Sequence, residues 1–229
     1  VGHQCYAHKM LSGRAEQFLS LRKKGGLSGF PKRSESVYDS YNTGHAGTSI
    51  SAALGMAKAR DLAGDDYNII AVIGDGSFNN GLVYEAFNNL KQLGARILII
   101  INDNGMSISP TVGSMHEYLE ALKNDVEERY HKNRRAGIFE RFGLEYDGVY
   151  DGNDVAEMVA ELTKVKQKLK SGSVIMHVMT KKGKGYSLCE DDPEATHGIS
   201  EGGEAEITEY SKVLGRELCS LAADNDKIV

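Results

Sequence analysis

The chain is poor in cysteine, in net positive charge and in long apolar stretches, and each shortage removes a class of protein. Cys5, Cys189 and Cys219 are odd in number and widely scattered, so they fit neither a disulfide framework nor a zinc site. A reducing cytoplasm is the simplest setting for them. No run approaches the roughly 20 apolar residues that a membrane-spanning helix requires. Val1-Gly2-His3-Gln4 has neither the basic nor the apolar region of a signal peptide. The net charge of −5 argues against non-specific binding to nucleic acid, which needs a basic surface to neutralise phosphates. It leaves room for a small phosphorylated ligand held by a local cluster of donors. Internal repeats and low-complexity tracts are also lacking, and no histidine pair has the His-Glu-x-x-His spacing of a helical metal site.

What is present is an ordinary soluble composition, 41% hydrophobic, enough for a sizeable core in one large domain or one domain plus part of another. Residues 1–45 carry Gly, His, Lys and Ser with little period, and Lys23 to Pro31 reads as an ordered loop with several permissive glycines. Ile50, Ala53, Leu54 and Ala57 mark the apolar face of a helix from Thr48 to about Leu62. Ile69 to Ile73 and Ile97 to Ile101 are short continuous apolar runs, the pattern of parallel strands buried on both faces, with a helix from Leu82 to Leu93 between them. Leu144 to Tyr150 and Val174 to Met179 read as further strands around a helix from Asp154 to Leu169. Alternation of this kind predicts an α/β fold, a mostly parallel open sheet with helices on both faces.

The strands point to a site. Ligands of open α/β sheets bind beyond the carboxyl ends of the strands. Here the first two strands stop at Gly74-Asp75-Gly76 and Asn102-Asp103-Asn104, twenty-nine residues apart from Asp75 to Asn104. That interval holds one helix and two short connections, so both side chains can meet at one sheet edge. Mg²⁺ takes hard oxygen ligands in octahedral geometry, commonly one or two protein groups plus phosphate oxygens. One carboxylate, one amide oxygen and a nearby backbone carbonyl meet that need, and Gly74 and Gly76 let the backbone approach a ligand. Gly-Asp-Gly alone is a common turn; its position at a strand end, followed by helix, strand and Asn cluster, makes residues 69–106 a magnesium–diphosphate cradle.

Other residues are less decisive. Thr43 to Ser49 precedes a helix and offers N–H groups and hydroxyls to an anion, although a plain Ser/Thr cap fits equally, and His45 adds a donor. His177 falls inside an apolar strand and reads as a satisfied core residue. His116 and His131 lie in the charged stretch 116–141, read as a solvated helix or mobile segment. His3, His8 and His197 sit in glycine-rich or polar surroundings where function and filler are both open.

These motifs resemble a known family. Asp75 to Asn104 is similar to the thiamine-diphosphate motif, Gly-Asp-Gly followed some thirty residues later by Asn. Val1 to Lys9, Gly25 to Ser36, Asn102 to Pro110 and Thr180 to Tyr186 resemble the 1-deoxy-D-xylulose-5-phosphate synthases of the transketolase superfamily, in order and over nearly the whole chain. The resemblance implies a thiamine-diphosphate-binding fold, with thiamine diphosphate and Mg²⁺ as cofactors. It implies condensation of pyruvate with glyceraldehyde 3-phosphate to 1-deoxy-D-xylulose 5-phosphate and CO₂, which feeds isoprenoid, thiamine and pyridoxal synthesis. It places Asp75, Asn104 and the Met106 carbonyl on the metal. His3, Gly44, His45, Ala46, Gly76, Ser77, Asn104, Lys182 and Tyr186 match cofactor-contacting positions. His197, His45 and His3 match catalytic histidines, suited by a near-neutral pKa to proton transfer. A homodimer without membrane or nucleic-acid partners is also implied.

The departures from the family are specific. A Gly-Gly-His motif that supplies another histidine is absent, and the stretch between Met115 and Phe142 is short. The glutamate that activates the aminopyrimidine, and the phosphate-binding arginines, belong to a second domain. The expected organisation is therefore a diphosphate/Mg domain over 1–186, a linker over 187–208, and the start of a pyrimidine-binding domain over 209–229. Both termini look cut, and the chain alone is expected to be inactive. The alternatives are transketolase-type ketol transfer, or a non-catalytic or split-subunit module that binds diphosphate.

Overall fold

The computed structural model describes residues 2, 5–124, 137–198, 210–225 and 227. A short helix α1 (Tyr6–Lys9) and irregular helical turns to Ser20 open the chain. The first long element is α2 (Ser49–Ala63), which stops where Gly64 turns left-handed. β1 (Ile70–Gly74) runs directly into a four-residue helix α3 (Asp75–Phe78), then α4 (Gly81–Leu93) and β2 (Leu98–Asp103). Asn80 caps α4 by accepting the Leu82 N–H through Oδ1. Further on lie α5 (Ser114–Asn124), α6 (Ile138–Arg141), β3 (Leu144–Asp151), α7 (Val155–Lys168) and β4 (Ser173–Met179). Asp154 caps α7 with bonds from the N–H groups of Ala156 and Glu157.

The four described strands form one parallel sheet in the order β1-β2-β4-β3. Register sets Asp103 beside Met179 and Gly74 beside Asn102, so all the strands deliver their carboxyl ends to one edge. Helices cover both faces, as the alternation predicts. On one face Ile50, Ala53 and Leu54 of α2 and Val83, Phe87 and Leu90 of α4 pack against Ile73, Ile99, Ile101 and Ile175. On the other, Val165 and Leu169 pack on Leu98, Val174, Met176 and Val178. Each fully buried aliphatic side chain contributes roughly 1.5–3 kcal/mol, so this two-sided burial dominates the stability of the sheet.

One strand departs from its sequence reading. The run Ile69 to Ile73 predicts burial on both faces, yet Ile70 and Val72 are 55% and 36% exposed while Ala71 and Ile73 are buried. The reason is position: β1 is an edge strand of the described sheet, and α7 lies over β4 and β3 rather than over β1. A cavity of about 430 Å³ runs beside it, lined among others by Cys5, Tyr38, Asp39, Thr43, Ile70 and Val72.

By its internal contacts the chain forms two compact units, Val1–Thr196 and His197–Val229. Ser187–Asp191, within the expected linker, is a short helix α8 of the first unit. The second unit carries α9 (Tyr210–Asp224). The three cysteines are free. No helix among the described residues is long and apolar enough to cross a membrane.

Candidate functional site

The carboxyl ends of β1, β2 and β4 come together as the sequence spacing requires. Asp75 follows β1 at once and is 2% exposed. Its Oδ2 accepts a hydrogen bond from the Thr111 hydroxyl at 2.9 Å, and the Asn104 backbone N–H donates to the same carboxylate. Burial raises the Asp75 pKa above its ordinary value, and the neighbouring Asp103 charge adds to that rise. A carboxylate in such a place is under-compensated by the protein, which is the condition a bound cation relieves.

The loop after β2 is tightly self-bonded. Asn104 Oδ1 accepts from the Met106 N–H, Thr111 N–H donates to the Gly105 carbonyl, and Met106 bridges to Pro110. The loop lies over Gly76, where a Cβ would come within 3.0 Å of Ser107 Cβ, so only glycine leaves this approach unhindered. Lys182, from the turn after β4, closes the far side. Its Nζ donates to the carbonyls of Ser107 and Ile108 at 2.9 and 3.3 Å. Burial lowers its pKa, against the pull of Glu194 and Asp75. The turn itself is pinned by Glu190 of α8, which pairs with Lys181 and accepts the Gly185 N–H.

The Thr43–Thr48 loop makes a close approach to Asn80 at Gly47. Gly47 has φ +76°, and a Cβ there would sit 2.6 Å from Asn80 Cβ, at the turn between α3 and α4. Gly44, His45 and Ala46 are exposed on this loop. Ser77 lies in α3 behind Gly76, and Tyr186 is 58% exposed at the end of the Lys182 turn. The structure thus bonds Asp75 to the Asn104 loop, lays that loop against Gly76 and Lys182, and sets Gly44 to Ala46 on the loop before α2. His3 lies outside the described residues. His197 begins the second unit, and its role rests on the resemblance alone.

Beneath the cradle is a buried network that the sequence pattern does not assemble. Asp103 Oδ2 meets His177 Nε2 at 2.8 Å and Lys123 Nζ at 2.9 Å, while Oδ1 accepts the Gly105 N–H. His177 Nδ1 in turn pairs with the Tyr146 hydroxyl at 2.9 Å. Burial alone would raise the Asp103 pKa; His177 and Lys123 outweigh it and hold the group at about 2. His177 is therefore the satisfied core residue its apolar setting predicts. Lys123 departs from its reading as part of a solvated charged stretch, because α5 turns it inward onto Asp103. The rest of that stretch, including His131, lies outside the described residues up to residue 136. Thr111 carries no signal in the sequence; Asp103 carries one only by sitting inside the Asn cluster.

Chemically, the cradle offers one buried carboxylate, one amide oxygen and loop carbonyls, with a lysine at its rim. Among the described residues no cluster of three or more His, Cys, Asp or Glu is placed to hold a metal. The donors gathered at the cradle are oxygens, which a softer, nitrogen- or sulfur-preferring ion does not favour. Sparse hard oxygens beside a close backbone approach at Gly76 suit a divalent cation that shares its shell with phosphate oxygens. The cavity beside β1 includes neither Asp75 nor Asn104 in its lining and is separate from this chemistry.

Fold and edge together define a parallel α/β domain whose strand ends converge on one edge. The chain belongs to the 1-deoxy-D-xylulose-5-phosphate synthase family: the family model matches residues 1–136 and 124–180. It is 42% identical to the 1-deoxy-D-xylulose-5-phosphate synthase of Clostridium acetobutylicum, with all of this chain aligned to 43% of that protein. The corresponding proteins of Carboxydothermus hydrogenoformans and Dechloromonas aromatica are 39% and 42% identical, again over the whole of this chain and 43% of theirs. The chain thus spans less than half the length of these curated relatives. The two matched stretches of the family model meet at 124–136, inside the segment that the sequence marks as short.

Proposed function

We propose that this chain supplies the metal–diphosphate half of a thiamine-diphosphate enzyme that condenses pyruvate with glyceraldehyde 3-phosphate, giving 1-deoxy-D-xylulose 5-phosphate and CO₂. The observation that carries it is Asp75: a buried carboxylate at a strand end, hydrogen-bonded to Thr111 and to the Asn104 backbone, with Lys182 at the rim and its charge incompletely compensated. When bound, the cofactor supplies an electron sink for decarboxylation of the keto acid. The residues of this chain bind and orient it. Asp75 and Asn104, with the Met106 carbonyl, hold Mg²⁺; Gly76, Ser77, Lys182 and Tyr186 would contact the cofactor. Gly44, His45 and Ala46 approach from the loop before α2. His45, with His3 and His197, moves protons during addition and release, a role imidazoles commonly take.

In this reading 1–186 is the diphosphate-binding domain and 209–229 belongs to a pyrimidine-binding one, joined by 187–208. The working enzyme is a cytoplasmic homodimer, and its product feeds isoprenoid synthesis. The test is to supply the full-length protein with thiamine diphosphate, Mg²⁺, pyruvate and glyceraldehyde 3-phosphate. Aldehyde-dependent CO₂ release is expected, and its absence, with ketol transfer from a ketose phosphate in its place, would assign a transketolase instead. In the same protein Asp75→Ala should abolish Mg²⁺-dependent cofactor binding in calorimetry, because the shell loses its one charged protein ligand. Unchanged affinity would sink the cradle.

A further inference from the structure

The cradle is assembled from two separate pieces of chain. Asp75 comes from the end of β1, while Asn104 and Met106 come from the loop after β2. A divalent ion needs oxygens from both pieces held at fixed separation, since near-ideal octahedral geometry tolerates little drift. The Asn104 N–H bond to Asp75 links the two pieces, and the side chain of Thr111 adds a second link. Thr111 ends the β2 loop, is 7% exposed, and donates its hydroxyl proton to Asp75 Oδ2 at 2.9 Å across 36 residues of sequence. Its own backbone is tied to the start of that loop through the bond from its N–H to the Gly105 carbonyl at 2.9 Å. Threonine is stiff at χ1, so a hydroxyl on this backbone is aimed rather than searching.

We propose that Thr111 is a positioning residue of the cradle, fixing the Asp75 carboxylate against the loop that carries Asn104 so that both present their oxygens to one divalent cation. The inference rests on the cradle reading and goes beyond it, because Thr111 acts through Asp75 rather than on the metal or the cofactor. Outer partners that orient a ligating carboxylate typically change metal affinity 10- to 100-fold when removed. The hydroxyl, not the bulk, is what the geometry uses. Thr111→Val keeps the shape and removes the donor, whereas Thr111→Ser keeps the donor and removes a methyl.

The experiment is calorimetric titration of the full-length protein with Mg²⁺ at saturating thiamine diphosphate, for wild type and both variants, alongside thermal unfolding of the metal-free forms. Thr111→Val should bind Mg²⁺ about 10- to 100-fold more weakly, while Thr111→Ser stays close to wild type. Metal-free Thr111→Ser should unfold near the wild-type temperature and Thr111→Val a few degrees lower, because a buried carboxylate loses a donor, with the added stabilisation by Mg²⁺ shrinking only for Thr111→Val. Equal Mg²⁺ affinity in Thr111→Val and wild type would overturn the proposal, and so would an equal loss in both variants, which would mark a packing role. If Thr111→Val does not fold, Thr111→Ala removes the same hydroxyl with less bulk and carries the same expectation. A wild-type protein that shows no Mg²⁺-dependent cofactor binding would overturn the cradle reading and this inference with it; the loss confined to the valine variant concerns Thr111 alone.

Discussion

Asp39 and Asp75 are both almost fully buried, at 3% and 2% exposure, and their surroundings treat them in opposite ways. Asp39 is the hub of the amino-terminal segment. Arg14 grips it with two bonds of 2.7 and 2.8 Å, His8 reaches Oδ1, and the Lys32 N–H reaches Oδ2. The Arg14 guanidinium holds its pKa well below the usual carboxylate range, against the cost of burial. Buried Lys9 and half-buried Glu35 form a second pair alongside, at 2.6 Å. Both carboxylates there are answered by cations of the same segment. Asp75 has a hydroxyl and a backbone N–H but, among the described residues, no cation in contact, and burial pushes its pKa up. Lys182, the cation at the rim, spends its hydrogen bonds on carbonyls. The fully paired Asp39 organises its segment, while Asp75, left short of positive charge, is the feature on which the proposed cation site rests.

The comparison can be broken first at its structural side. Arg14→Met removes the bidentate partner and leaves Asp39 charged and buried, a change that costs about 3–5 kcal/mol. Urea unfolding at neutral pH measures it; a loss well under about 1 kcal/mol would mean that His8 and Lys32 suffice. Lys123→Met tests the same rule beneath the cradle. Asp103 keeps His177 and the Gly105 N–H, so the expected loss is smaller, about 2 kcal/mol. Mg²⁺ affinity should fall with it, since the Asn104 loop hangs from Asp103.

Acid sharpens the contrast through its sign. Because the Asp39 pKa is depressed on folding, its stabilisation is fully present above the unfolded carboxylate value near 4 and is lost as pH falls below it. Asp75 is the reverse: a raised pKa gives a contribution present below the unfolded value and lost as pH rises through the folded one. Asp75→Asn should therefore raise the unfolding temperature of the metal-free protein at neutral pH, by a few degrees at most, while removing Mg²⁺-dependent binding. A lowered temperature would show that Asp75 is a structural carboxylate like Asp39, and the distinction drawn above would fail.

Much of the fold and half of the cradle are legible in the order of the residues. The apolar runs around 69–73, 97–101 and 174–179 read as strands, because each is short, rich in branched side chains and bounded by polar turns. Their parallel pairing follows from the helices between them. The spacing from Asp75 to Asn104 places both at one edge for the same reason. The exposure of Ile70 and Val72 is not legible, since an apolar run does not say whether its strand has a neighbour on each side. Nor are the partners of Lys123, which its charged surroundings mark as solvated, or of Thr111, which no pattern marks at all.

The sequence by itself determined the α/β alternation, the site edge, the Asp75–Asn104 pair and the family, because strand period, helix length and motif spacing are local properties of the chain. Only the tertiary structure decided which buried carboxylate is compensated and which is not. Asp39 meets Arg14 across 25 residues, Asp103 meets His177 across 74, and Asp75 meets Thr111 across 36. Such pairings are set by how sheet and loops stack, and the balance of burial against charge at each carboxylate exists only once they have stacked.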